Sequence, residues 1–123
     1  MLSGMTNVSS TTLRQQIEQI QTELAALGPI HPGSLSEQYN VCGTPGCRCK
    51  DPDDPQKHGP YHQLSFTWRG KSSSRFVKQD RLEATRRKVA NYKELRDLVN
   101  RWVDLAVELE RAEREEAKAS HGA

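Results

Sequence analysis

The chain has 123 residues, 34% of them hydrophobic and 28% charged, with a mean hydropathy of −0.82 and a formal net charge of +2. A chain of this size and polarity is expected to build one small domain with a modest core, for which a metal staple and helix pairing would both add stability. No apolar run approaches the roughly 20 residues that span a bilayer, so no membrane partner is expected.

The ends carry little information. Residues 1–10, rich in Ser, Thr and Asn, are expected to be disordered, as is a tail at 120–123, leaving a single domain over 11–119. Met1 to Ser10 has neither the basic nor the apolar region of a secretory signal. With three clustered thiols that suit a reducing compartment, the expectation is a cytoplasmic protein.

Thr12 followed by Gln15 predicts a capping box, and a helical pattern begins there. Leu13, Ile17, Ile20, Leu24 and Leu27 form a heptad seam that Gly28-Pro29 ends. A helix of about 15 residues spans roughly 22 Å and is marginal alone, so the seam must bury against something. Residues 29–41 read as an irregular connection, with Leu35 and Tyr39 as its core anchors.

All three cysteines then fall within eight residues, in Cys42-Gly43-Thr44-Pro45-Gly46-Cys47-Arg48-Cys49, and His58-Gly59-Pro60-Tyr61 follows. The resulting Cys-x4-Cys-x-Cys-x8-His set offers three thiolates and an imidazole, the usual donors of a closed tetrahedral zinc site. Glycines around Pro45 let the short loop fold back on itself. Three cysteines cannot pair off into a closed disulfide framework. Free thiols on a turn, or an iron–sulfur or redox site, are the competing readings. His58, at a turn before Gly59-Pro60, is favoured as fourth donor over His62, which falls in an expected strand. His31 reads as a loop residue and His121 as part of the tail.

These residues carry a resemblance. The run Pro32-Gly33-Ser34-Leu35-Ser36-Glu37-Gln38-Tyr39, the cysteine box and His-Gly-Pro-Tyr resemble a family of small prokaryotic proteins, themselves uncharacterised, often found with transposases and other mobile elements. The likeness extends from about Pro32 to Leu98. It implies a shared metal site at Cys42, Cys47, Cys49 and His58 and, more weakly, a nucleic-acid context. It supplies no activity.

After Pro60, His62, Leu64, Phe66 and Trp68 alternate with Gln63, Ser65 and Thr67, which predicts a half-buried strand. A turn at Arg69-Gly70-Lys71 and a return over Ser72 to Val77 would complete a β-hairpin. A three-residue turn sets Leu64 opposite Phe76 and keeps the apolar face apolar, whereas a two-residue turn sets Leu64 opposite Arg75; the first register is expected. It would place Arg75 and Val77 on the open face with Gln63, Ser65 and Thr67.

Asp80 with Glu83 predicts the cap of a second helix, and no Gly or Pro interrupts Arg81 to Lys118. Its expected apolar stripe is Leu82, Val89, Tyr92, Val99, Trp102, Ala106 and Leu109, flanked by Leu95 and Leu105. Nearly 40 residues make roughly 57 Å, more than twice the first helix. Packed as an antiparallel coiled coil, the longer helix would have surplus seam for a homodimer or a transposase-like protein partner.

Charge is strongly local. Residues 66–93 hold nine basic groups against two acidic, a net of +7, while 94–123 carry five basic and eight acidic. Arg69, Lys71, Arg75 and Lys78 on the hairpin, with Arg81, Arg86, Arg87 and Lys88 on the helix start, are the candidate nucleic-acid contacts. A hairpin ribbon fits the major groove of DNA, and its cations would meet phosphates. The competing reading is a solvated basic face. Asp51, Asp53 and Asp54 are interleaved with prolines and read as an exposed loop, and no phosphate-cradling glycine loop or nucleophile–base pair is evident. The sequence therefore reads as an α+β, zinc-stapled helix–hairpin–helix protein without catalytic residues, a DNA-binding accessory factor of mobile-element type. The alternative is an adaptor that acts through its helices alone.

Overall fold

The computed structural model describes residues 8–122. Its elements are α1 (Ser10–Ala26), β1 (Ser34–Asn40), β2 (His58–Trp68), β3 (Lys71–Val77) and α2 (Gln79–Gly122), an α+β arrangement. They divide into a helical unit, which takes the chain through Gly28 and again from Lys93 onward, and a sheet unit, Pro29–Tyr92. Of the expected disordered start, Met1 to Asn7 lies outside the described residues.

In the helical unit, α1 begins earlier than expected. Ser9, not Thr12, is the N-cap: its backbone is extended (φ −69°, ψ 156°) and its side chain accepts the Thr12 N–H at 3.3 Å. Thr12 is thus the third residue inside the helix, where its own N–H needs that acceptor. The predicted seam holds, with Leu13, Ile17 and Ile20 buried and Leu24 and Leu27 half-buried. Ser10 at one end of α1 donates from its N–H and Oγ to Glu116 at 3.0 and 2.6 Å, and Arg14 donates to Glu113 at 2.8 Å. The start of α1 therefore meets the end of α2, and the two run antiparallel.

The least exposed stripe of α2 here is Leu98, which is buried, with Leu95, Trp102, Leu105, Leu109 and Ala112 half-buried. Leu98, absent from the expected stripe, is fully buried at 0% exposure, whereas Val99 is 40% exposed and Ala106 is exposed. The 3–4 spacing of the large leucines matches the seam of α1 and wins over the adjacent, smaller Val and Ala. The helix runs to Gly122, beyond the expected end near Lys118 and through most of the expected tail.

In the sheet unit, the expected connection over 29–41 contains a strand. β1 pairs antiparallel with β2, Leu35 opposite Leu64 and Glu37 opposite His62, making a three-stranded sheet in the order β1-β2-β3. Only Leu35 and Tyr39 of Ser34–Asn40 are apolar, so the strand gives no alternation. Its backbone ladder and edge position define it. Leu35 is half-buried, but Tyr39 is 52% exposed, falling where the register shifts between Gln38 and Asn40. Gly33 precedes the strand at φ +117°, and a Cβ there would run into the Ser65 carbonyl oxygen and the Phe66 Cβ.

The hairpin takes the register that was not expected. Trp68 pairs with Lys71 and Leu64 with Arg75, leaving a two-residue turn at Arg69-Gly70. Both turn residues have positive φ (52° and 79°), the geometry of a type I′ turn. That turn matches the twist of the flanking strands, and this preference outweighs keeping the face uniformly apolar. Arg75 and Val77 consequently share the face of His62, Leu64 and Phe66, and Phe76 is turned to the other face at 67% exposure. There Ser65 meets Ser74 and Thr67 meets Ser72 through hydroxyl pairs at 3.1 and 2.8 Å.

The start of α2, as far as Tyr92, belongs to the same unit, with Leu82 and Val89 buried. Asp80 lies within the first turn rather than capping it, because the helix starts at Gln79. The chain before β1 is tied to this segment where the His31 N–H donates to the Lys88 carbonyl at 3.1 Å and the Asn91 amide donates to the Pro29 carbonyl at 2.9 Å.

Candidate metal centre

The sheet ladder assembles the cysteine cluster. Asn40, the last residue of β1, pairs with His58, the first of β2, so the chain leaves β1 beside the imidazole and reaches Cys42 two residues later. A short turn with Gly46 at φ +77° reverses the chain, and a 3-10 turn over Arg48–Lys50 carries Cys49 back inward. Backbone bonds from Lys50 to the Cys47 carbonyl (2.9 Å), Asp51 to the Arg48 carbonyl (3.2 Å) and Gln56 to the Arg48 carbonyl (2.9 Å) fix the loop. The acidic run is ordinary turn chemistry: the Asp51 carboxylate accepts the Asp53 and Asp54 N–H groups at 2.9 and 3.4 Å.

The Sγ atoms of Cys42, Cys47 and Cys49 and a ring nitrogen of His58 all lie within 4.8 Å of one another. Cys42 Sγ stands 3.6 Å from Cys49 Sγ, and Cys47 Sγ 3.3 Å from His58 Nε2. Donors bound at roughly 2.0–2.3 Å to a tetrahedral ion stand roughly 3.3–3.8 Å apart, a range that these two separations match. A sulfur separation of 3.6 Å is far too long for a disulfide. Cys49 is buried, Cys42 and Cys47 are half-buried, and the cluster can hold a metal ion. His62 is not part of it. Its ring is buried on the sheet, with Nε2 3.5 Å from a Glu37 carboxylate oxygen.

Electrostatics favour thiolate at Cys42 and Cys47. The Thr44 N–H and then the His58 imidazole lower Cys42 to about 6. The Cys49 N–H lowers Cys47, while burial raises Cys49. His58 is raised by the Cys42 and Cys47 thiolates beside it. The Cys42 and Cys47 thiolates thus place negative charge at one point, which a divalent cation would neutralise.

The structure separates the eight basic candidates. Arg75, Lys78, Arg81 and Lys88 line one shallow hollow between the hairpin and the start of α2, joined by His31, and no carboxylate lines it. Arg75 also lies over the Phe66 ring at 5.9 Å, an arrangement that follows from pairing Leu64 with Arg75. Arg69 and Lys71 are at the hairpin tip, with Arg69 over Trp68 at 5.9 Å. Arg86 and Arg87 are exposed on α2 and do not line the hollow. His31, which reads from the sequence as a plain loop residue, has no local signal for this place. Its ring meets the Phe66 edge at 4.7 Å, and Nδ1–H donates to the Pro32 carbonyl at 2.7 Å.

Among the described residues, no helix is long and apolar enough to cross a membrane. No curated protein and no solved structure matches the chain significantly. Residues 10–87, which carry α1, the sheet, the cysteine cluster and the first turns of α2, match the family described as Domain of unknown function (DUF6788), and the chain belongs to that family.

Proposed function

We propose that the protein is a zinc-stapled nucleic-acid-binding accessory protein, not an enzyme, working in the reducing cytoplasm. Zinc is the ion that three thiolates and one imidazole converging within 4.8 Å suit best. Four protein donors leave no open position for substrate or water, so the ion's role is structural. The likeness of the cysteine box to proteins found beside transposases makes DNA of a mobile element the proposed target.

The observation that carries the nucleic-acid reading is the hollow itself. Arg75, Lys78, Arg81 and Lys88 come from a strand, its exit and two turns of helix to one concave surface without a carboxylate. Such a surface suits successive phosphates of a duplex backbone, with the hairpin tip residues Arg69 and Lys71 available to a groove. Arg86 and Arg87 add to the field around it.

Zinc-loaded protein titrated with labelled duplex DNA at about 50 and 200 mM salt tests this. Contact with six or more phosphates gives an affinity loss of roughly a thousandfold across that range. Arg75→Ala and Lys78→Ala should each reduce the salt slope by about one. Absence of binding at low salt removes the nucleic-acid reading and leaves the metal reading intact.

A further inference from the structure

The helical unit leaves one face of α2 unaccounted for. Val99, Val103 and Val107 are 40%, 55% and 66% exposed, at a spacing of four residues that aligns them in one row. With Trp102, Ala106 and, at one end, Glu110 they line an open, mainly apolar groove. The row lies to one side of the Leu98–Leu105 stripe that faces α1, so α1 does not cover it. Valine is a weak helix former, and a solvated helix face gives no physical reason for three of them in register.

We propose that this row is the interface of a homodimer in which α2 pairs antiparallel with α2 of a second copy, on a two-fold axis at Val103. The chemistry of the row is palindromic about that residue. Four positions either side stand Val99 and Val107; seven positions either side stand Arg96 and Glu110. An isologous contact requires that residue i meet j while j meets i, so Val99 covers the second copy's Val107, Val103 meets its own counterpart, and Arg96 faces Glu110 at both ends. Among the described residues Arg96 has no ion-pair partner, and Glu110 is held only by its exposed neighbour Arg114 at 3.0 Å. Both charges are therefore free to cross. A parallel pairing would instead set Arg96 against Arg96 and Glu110 against Glu110, which is repulsive. An unrelated partner has no need of this symmetry. The inference stands apart from nucleic-acid binding and from the metal.

The test is sedimentation of the full zinc-loaded chain up to high micromolar concentration, with helical circular dichroism confirming that each variant is folded. The wild type should sediment as a dimer. Val103→Glu, at an exposed position of the single chain, should weaken association by at least about tenfold, because it buries unpaired charge in the dimer. Arg96→Glu and Glu110→Arg should each weaken it, and the two together should restore it. Val103→Cys should cross-link under mild oxidation while Val99→Cys alone should not. A monomeric wild type overturns the proposal and leaves the row to a different protein. So does a dimer indifferent to Val103→Glu, and so does self-cross-linking at both 99 and 103, which would mean parallel helices.

Discussion

The two units solve the same problem of burial in different ways. The helical unit meets it with aliphatic side chains: Leu13, Ile17 and Ile20 of α1 and Leu98 of α2 are buried on two helices that run antiparallel. The sheet unit is about as long but buries only Leu64, Leu82 and Val89 of its large aliphatic side chains, together with Cys49 and His62. Their charges also differ. The sheet unit carries eleven basic and six acidic side chains, the helical unit seven and ten, for nets of +5 and −3. A sheet with one edge strand of Ser, Glu, Gln and Asn cannot be secured by apolar area alone, and the Cys3His cluster sits at the β1–β2 junction where pairing would otherwise fray. The basic surface is thus built on the unit that carries the Cys3His cluster, and the apolar row on the unit that lacks it.

Metal removal should break this comparison most visibly. Chelation, or Cys49→Ser, should abolish the tertiary near-ultraviolet signals of the sheet unit while most of the helical far-ultraviolet signal persists. Equal loss of both signals would mean that the units do not differ in what holds them. Leu98→Ala should do the converse: a cavity at the most buried leucine should cost about 2–5 kcal/mol in the unfolding of the helical unit, with metal stoichiometry unchanged. Gly33→Ala should destabilise the sheet unit by roughly 1–3 kcal/mol, since φ +117° disfavours any Cβ and the Ser65 carbonyl blocks its path. Metal titration and denaturant melts of that variant separate a local fault from loss of the cluster.

The smallest effect sharpens the helical side. Ser10, through its Oγ and N–H, holds the Glu116 carboxyl below the usual carboxylate range. A lowered folded-state pKa means that the charged carboxylate stabilises the fold above the ordinary carboxylate range, and that this contribution fades as pH falls through the lowered value. Melting temperatures of the wild type and Glu116→Gln should therefore differ slightly at neutral pH and converge in acid. A gap that widens on acidification would contradict the assignment.

Elements whose signal is local were legible in the chain alone. Heptad spacing marked α1, an uninterrupted polar–apolar run marked α2, alternation marked β2, and a Cys-x4-Cys-x-Cys-x8-His string marked the four residues whose donors converge. Tertiary structure decided what depends on partners. β1 became a strand because a polar edge segment found a backbone ladder on β2, which no side-chain period announces. Leu98 displaced Val99 from the buried stripe because the seam of α1 chose between two adjacent apolar registers. Arg75 moved to the helix-facing side because the I′ turn at Arg69-Gly70 fixed the pairing, and one residue of register turns every side chain of β3 over. His58 rather than His62 joined the cysteines for a related reason: the ladder sets position 58 beside the end of β1, and sends position 62 into the sheet against Glu37.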